Sequence, residues 1–202
     1  IEKVCGGAFG DCTGIKELTM PVDLDYVKNN SSTNGYSSFF NCGNIEKITY
    51  SKGKTGIMPD IESGSTSYDT AECYAGKSLT TVEFEEGVKN IGARAYYFYR
   101  NSITSGCVYG MPNLKNIKLA STVKKIGDYA FYKNIEITKF DFSNIEELGE
   151  SSFSGCRGLS DLTIPAGLKE IPASCFYECT GLSSLKIPET IEKVCGGAFG
   201  DC

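Results

Sequence analysis

The sequence predicts a β-rich solenoid of about seven 23-residue coils, built from short parallel strands and turns. Three observations predict it. A frame L-x-x-L-x-I-P-x-x-[LI]-x-x-[IV]-x-x-x-x-F-x-x-C recurs through the 202 residues. Its units start at Ile15, Ile45, Leu79, Leu114, Ile137, Leu159 and Leu182, and the last four follow one another at 23, 22 and 23 residues. The dodecad IEKVCGGAFGDC stands at both Ile1–Cys12 and Ile191–Cys202, so the two ends are in phase with each other. A fixed period of this length is the signature of stacked repeats, because one unit cannot bury its own apolar face and its neighbours must.

Each part of the frame has a physical reason. Alternation in "LSDLTIP" places Leu162 and Ile164 on one face of a short strand. Pro165 or Pro188 ends that strand, since proline donates nothing to a ladder. A second apolar pair follows, Leu168 and Ile171 in one unit and Ile191 and Val194 in the next. The A-F-x-x-C turn then returns the chain to the next strand. Cys12, Cys42, Cys156, Cys179 and Cys202 share one slot of that turn, and Asn134 takes it once, which predicts a small, partly polar buried position occupied by reduced thiols. Cys73 and Cys107 lie in or beside inserted segments, and a disulfide between them is left open.

This frame resembles the BspA-like class of leucine-rich repeats, found in surface proteins of bacteria and some protists. The resemblance covers essentially the whole chain, read as a single solenoid over 1–202 or as one period of a longer array, and is strongest over Leu114–Cys202. It implies a right-handed leucine-rich repeat array, an extracellular or cell-surface location, and an adhesive or binding role by fold-level analogy.

The first three units exceed the period by 7, 11 and 12 residues, with the excess expected near 28–38, 51–72 and 97–110, after the first strand of each unit. Insertions in neighbouring coils gather on one face, often the binding face. Nine of the twelve tyrosines lie between Tyr26 and Tyr109. Tyr96 sits at the framework Phe position and Tyr50 reads as a strand residue, both core. The expected ligand patch is therefore Tyr36, Tyr68, Tyr74, Tyr97, Tyr99 and Tyr109, large rigid rings with a polar tip suited to a protein or glycan.

Chemistry is sparse. The chain has no His and no C-x-x-C, so neither a zinc site nor a histidine base is expected, and no cofactor is implied. "SKGKTG" (Ser51–Gly56) contains G-K-T but lacks the earlier glycine of a phosphate loop. Glu85-Glu86 and Glu146-Glu147 read as a solvated face rather than paired catalytic carboxylates. "NNSS" (Asn29–Ser32) holds two overlapping glycosylation sequons, meaningful only in a eukaryotic secretory route. Net charge is −5, with lysines and arginines scattered, which argues against nucleic acid. No apolar run is long enough for a membrane-spanning helix, and no membrane insertion is expected. The leading expectation is a non-enzymatic recognition or adhesion module. The competing one is a building block that self-associates end to end into an array or filament, suggested by the shared ends and the absence of polar capping units.

Overall fold

The computed structural model describes residues 3–5, 8–27, 42–60, 78–96, 99–102 and 106–202. Two rows of short parallel strands run along the solenoid, and among the described residues there is no helix. The first row contains β2 (Glu17–Pro21), β4 (Lys47–Ser51), β5 (Thr81–Phe84) and β9 (Asn116–Lys118), then β12 (Asp161–Thr163) paired with β14 (Ser184–Lys186). Every one of these strands begins two residues after a unit start read from the sequence. The register keeps the apolar frame in line: Leu18 opposite Ile48, Ile48 opposite Val82, Val82 opposite Ile117, and Leu162 opposite Leu185.

The second row holds β1 (Lys3–Cys5) against β3 (Asp25–Val27), a ladder of β6 (Asn90–Ile91), β10 (Lys125–Ile126) and β11 (Glu147–Leu148), and β13 (Glu170–Ile171) against β15 (Lys193–Val194). Ile57 joins this row through a parallel bridge to Asn90, and Met58 behind it is buried. Residues 51–60, which the sequence assigns to an insertion after the first strand, thus complete a coil. The spacing hid this, because with Ile57 paired to Asn90, Thr55 falls where Val88 opens the second apolar pair of the next coil. The first row is interrupted at Ile137–Phe142, the unit that is one residue short. There Asp141 turns its carboxylate onto the Ser143 N–H instead of continuing a strand.

The framework aromatics form a column through the core. Tyr96, Phe131, Phe153, Phe176 and Phe199 stack face to face with centroids 5.1, 5.2, 5.7 and 5.5 Å apart. Those spacings match the roughly 4.8 Å separation of neighbouring strands, so one ring per coil fills the core without gaps. Tyr50 and Phe84 extend the packing, with centroids 5.2 Å apart. Burying each ring contributes about 1.5–3 kcal/mol.

The turns around the column carry a repeated backbone conformation. Residues two before the framework aromatic (Arg94, Tyr129, Ser151, Ser174) have φ of 52–58°, and residues two after it (Asp11, Lys133, Glu178, Asp201) have φ of 54–57°. A left-handed non-glycine residue costs about 1 kcal/mol. Cross-coil hydrogen bonds offset that cost, among them Phe131 N to Ser152 O at 2.8 Å and Phe176 N to Ala198 O at 2.8 Å. Close stacking excludes a side chain at Gly127, where a Cβ would stand 2.4 Å from the Ala93 nitrogen.

Candidate functional site

The shared cysteine slot is a hydrogen-bonding position. Cys42 Sγ donates to Phe9 O at 2.8 Å, Cys156 to Phe131 O at 3.1 Å, Cys179 to Phe153 O at 3.2 Å, and Cys202 to Phe176 O at 3.1 Å. Each thiol thus ties its coil to the framework aromatic of the coil before. All of these cysteines are free thiols. Burial pushes the Cys156 thiol well up, and lifts Cys175 and Cys179 to about 12. Such thiols hold almost no thiolate at neutral pH and are inert as nucleophiles.

The slot also locates the third insertion. A residue in the slot closes a turn onto its own framework aromatic (Cys156 N to Phe153 O, 3.1 Å; Cys179 N to Phe176 O, 3.2 Å) and accepts from the residue that opens the next unit (Leu159 N to Cys156 O, 3.1 Å). Leu114 N donates to Met111 O at 3.2 Å in the same way, so Met111 fills the slot of the coil that begins at Leu79. The sequence comparison missed it, because residues 97–110 stand between Tyr96 and Met111 where Phe153 and Cys156 enclose only Ser154 and Gly155.

Within that insertion the chain makes a hairpin. β7 (Tyr99–Ser102) and β8 (Gly106–Tyr109) pair antiparallel, with Tyr99 opposite Tyr109, Arg100 opposite Val108, Asn101 opposite Cys107 and Ser102 opposite Gly106. It is the only antiparallel pair among the described residues. Gly110 brings the chain back at φ 76°, so close to the next coil that a Cβ would lie 2.1 Å from Lys133 O.

The insertion removes the usual acceptor for the slot amide, and Asn134 replaces it. Its Oδ1 accepts from Met111 N at 2.9 Å, while its Nδ2 donates to Tyr96 O at 3.1 Å and Tyr132 O at 3.3 Å. The second of these bonds is the one a slot cysteine makes elsewhere. The first needs a strong acceptor, which a thiol is not. Asn134 is wholly buried, so an unmet amide there would be costly.

Of the six expected patch residues, the structure brings Tyr99 and Tyr109 together as cross-strand partners on the hairpin. Tyr36, Tyr68, Tyr74 and Tyr97 lie outside the described residues, as do Cys73 and the sequon loop. Tyr50 and Tyr96 are core residues, 1% and 0% exposed.

The other motifs resolve into contacts between coils. Lys54 N, Thr55 N and Thr55 Oγ1 all donate to Asp23 Oδ2, at 2.9, 2.6 and 2.8 Å, so the G-K-T turn holds the chain's own carboxylate. Partial burial opposes ionisation of Asp23, but the Thr55 and Lys54 donors outweigh it and hold the carboxyl below its usual range. Glu146 and Glu147 pair with Lys124 and Lys125 at 3.3 and 3.0 Å. Glu86 accepts from Ser121 N at 3.0 Å. Glu83 lies between Lys118 and Lys47, whose ammonium groups hold its carboxyl below the usual carboxylate range. Exposed pairs of this kind contribute little each, about 0–1 kcal/mol, and dress the coils in alternating charge. Among the described residues no group of three Cys, Asp or Glu converges to hold a metal ion.

No curated protein matches the sequence. A leucine-rich repeat protein from Bacteroides ovatus is similar in structure, 18% identical with a TM-score of 0.49 over 100% of this chain and 68% of its own. A leucine-rich cell surface protein from Faecalibacterium prausnitzii is 15% identical, with a TM-score of 0.43 over 100% of this chain and 75% of its own. The pneumococcal vaccine antigen PcpA is 17% identical, with a TM-score of 0.42 over 96% of this chain and 48% of its own. The model of the BspA type leucine rich repeat region matches in six copies across residues 1–61 and 100–202, and the chain belongs to that family.

Proposed function

We propose that this chain is a non-enzymatic recognition or adhesion module, displayed at the cell surface, that captures a protein or glycan through the segments inserted in its first three coils. One observation carries the reading: a hairpin with Tyr99 opposite Tyr109 leaves an otherwise parallel solenoid between a framework aromatic and its slot residue. A repeat that needed only to stack would close this turn with two residues. Paired tyrosines on a two-stranded arm supply large contact area at small entropic cost. Neighbouring coils are neighbours in space, so insertions there join one patch, and Tyr36, Tyr68, Tyr74 and Tyr97 belong to it on this reading. Membership of the BspA-type family supports a place outside the cell.

The test is binding of the reduced 202-residue chain to a glycan array and to a panel of immobilised extracellular proteins. Tyr99→Ser combined with Tyr109→Ser is expected to weaken the strongest interaction at least about tenfold, which corresponds to about 1.4 kcal/mol, while the melting temperature stays unchanged. Equal binding by the variant would assign the contact elsewhere.

A further inference from the structure

The turns that follow the second row carry unusual side chains in two adjoining coils. The position two before the framework aromatic is left-handed, and Ser151, Ser174 and Gly197 fill it with little or no side chain. Stacking therefore asks for no bulk there. Yet the coils that begin at Leu79 and Leu114 place Arg94 and Tyr129 in it, at φ 58° and 55°. The position two after the aromatic is acidic at Asp11, Glu178 and Asp201, and Lys133 reverses the sign.

These departures meet. Arg94 Cζ lies 5.2 Å from the centroid of the Tyr129 ring, the Tyr129 and Tyr132 rings are 5.7 Å apart and tilted by 59°, and Lys133 Nζ lies 5.3 Å from the Tyr132 centroid. The Lys133 stem is also held by the next coil, where a Cβ on Gly155 would stand 2.7 Å from its Cγ. The result is a half-buried row of cation, ring, ring and cation. A cation held by a ring is fixed in place and keeps its N–H donors for an anion. The backbone beneath is already used: Tyr129 N, Phe131 N and Lys133 N donate to the Glu150, Ser152 and Ser154 carbonyls at 2.9, 2.8 and 2.7 Å. A peptide would find no ladder to join, whereas sugar rings need only charges and aromatic surface. Of the carboxylates at this level, Asp128 accepts from Glu150 N at 2.9 Å, and Glu150 stands one coil further along. The row lies at the foot of the hairpin, because Gly110 packs directly on the Lys133 carbonyl.

We infer that Arg94, Tyr129, Tyr132 and Lys133 form a binding site for an acidic polysaccharide. Arg94 and Lys133 pair with its carboxylates or sulfates, and the two tyrosines pack against its sugar rings. This rests on the reading of the chain as a capture module and names what it captures, but none of the four residues belongs to the hairpin.

Biolayer interferometry at low salt tests it, with polygalacturonate and dextran sulfate immobilised beside neutral dextran and poly-glutamate. At least one of the two acidic polysaccharides is expected to bind, and the other two polymers are not. Arg94→Ser, Tyr129→Ser and Lys133→Glu copy residues that other coils carry at the same positions, Ser151 and Glu178, so the fold is expected to persist. Each is expected to weaken binding at least about tenfold, and Tyr129→Ser does so without removing a charge. Lys16→Glu, at an exposed lysine in another coil, is expected to leave binding unchanged. No binding to either acidic polysaccharide, equal binding to poly-glutamate, or an equal loss in Lys16→Glu would each overturn the inference. If a ligand is lost in Tyr99→Ser combined with Tyr109→Ser but kept by Arg94→Ser, Tyr129→Ser and Lys133→Glu, the inference falls while the capture reading stands.

Discussion

Replacing Asn134 by Ala tests whether the slot is a hydrogen-bonding position or merely a small buried one. The side chain is fully buried and makes three bonds, to Met111 N, Tyr96 O and Tyr132 O. Alanine leaves the Met111 amide without its acceptor, at about 1–3 kcal/mol, and removes the donor to two carbonyls, for a total of about 2–4 kcal/mol. Cys156→Ala in the equivalent slot removes one weak S–H donor to Phe131 O and a single heavy atom, at about 1 kcal/mol. Urea unfolding followed by far-UV circular dichroism, with the slope m held common, reads the difference. For a chain of this length the melting temperature of Asn134→Ala is expected to fall by roughly 4–16 °C. Equal costs for the two variants would refute the reasoning, since the slot would then be valued for its volume alone.

Three further outcomes follow from the same geometry. Phe153 packs against Phe131, Phe140, Phe142 and Phe176 with centroids 5.2, 4.8, 5.1 and 5.7 Å away, so Phe153→Ala is expected to cost about 3–5 kcal/mol in urea unfolding. Gly127→Ala forces a Cβ to 2.4 Å from the Ala93 nitrogen and is expected to lower the melting temperature sharply, whereas Gly196→Ala, with nothing within 4 Å, changes it little. In acid, Glu83 is the informative carboxylate. Because Lys118 and Lys47 depress its pKa in the folded chain, its stabilising effect is present above the unfolded carboxylate value and is lost as pH falls through the lower folded one. Glu83→Gln is expected to flatten that limb of the stability–pH curve, measured by urea midpoints.

Much of this fold is legible in the sequence because stacking imposes one demand repeatedly. Leu162, Ile164 and Phe176 are apolar for reasons their neighbours in adjacent coils share, so each unit confirms the next. The breaks in the demand are where reading fails. Met111 could have been found by its distance of three residues from Leu114, the same as Cys156 from Leu159, but a thioether does not resemble a thiol or an amide. Ile57 was hidden among residues that look like a loop. The left-handed positions were invisible because Arg94, Tyr129 and Lys133 are side chains that ordinarily avoid that conformation, and only the backbone shows that each coil requires it. Tyrosine was ambiguous by type: Tyr50 and Tyr96 are core while Tyr99 and Tyr109 pair on a hairpin, and only framework position separates the two groups.

Asn134 then acquires a cause. In a regular coil the slot amide is satisfied by its own framework carbonyl, and the slot side chain needs only to donate to the coil before, which a thiol does. Inserting residues 97–110 carries Met111 away from that turn, and the next coil answers with an acceptor that cysteine lacks. The arm and the asparagine are therefore one feature. In the full chain Asn134→Cys keeps a donor to Tyr96 but strands the Met111 amide, at about 1–3 kcal/mol. Replacing residues 97–110 by Tyr-Lys, the pair between Phe131 and Asn134, restores the short turn and is expected to bring that cost near zero. A double-mutant cycle by urea unfolding measures the coupling. If Asn134→Cys costs as much in the shortened chain as in the full one, the asparagine serves the column and not the arm.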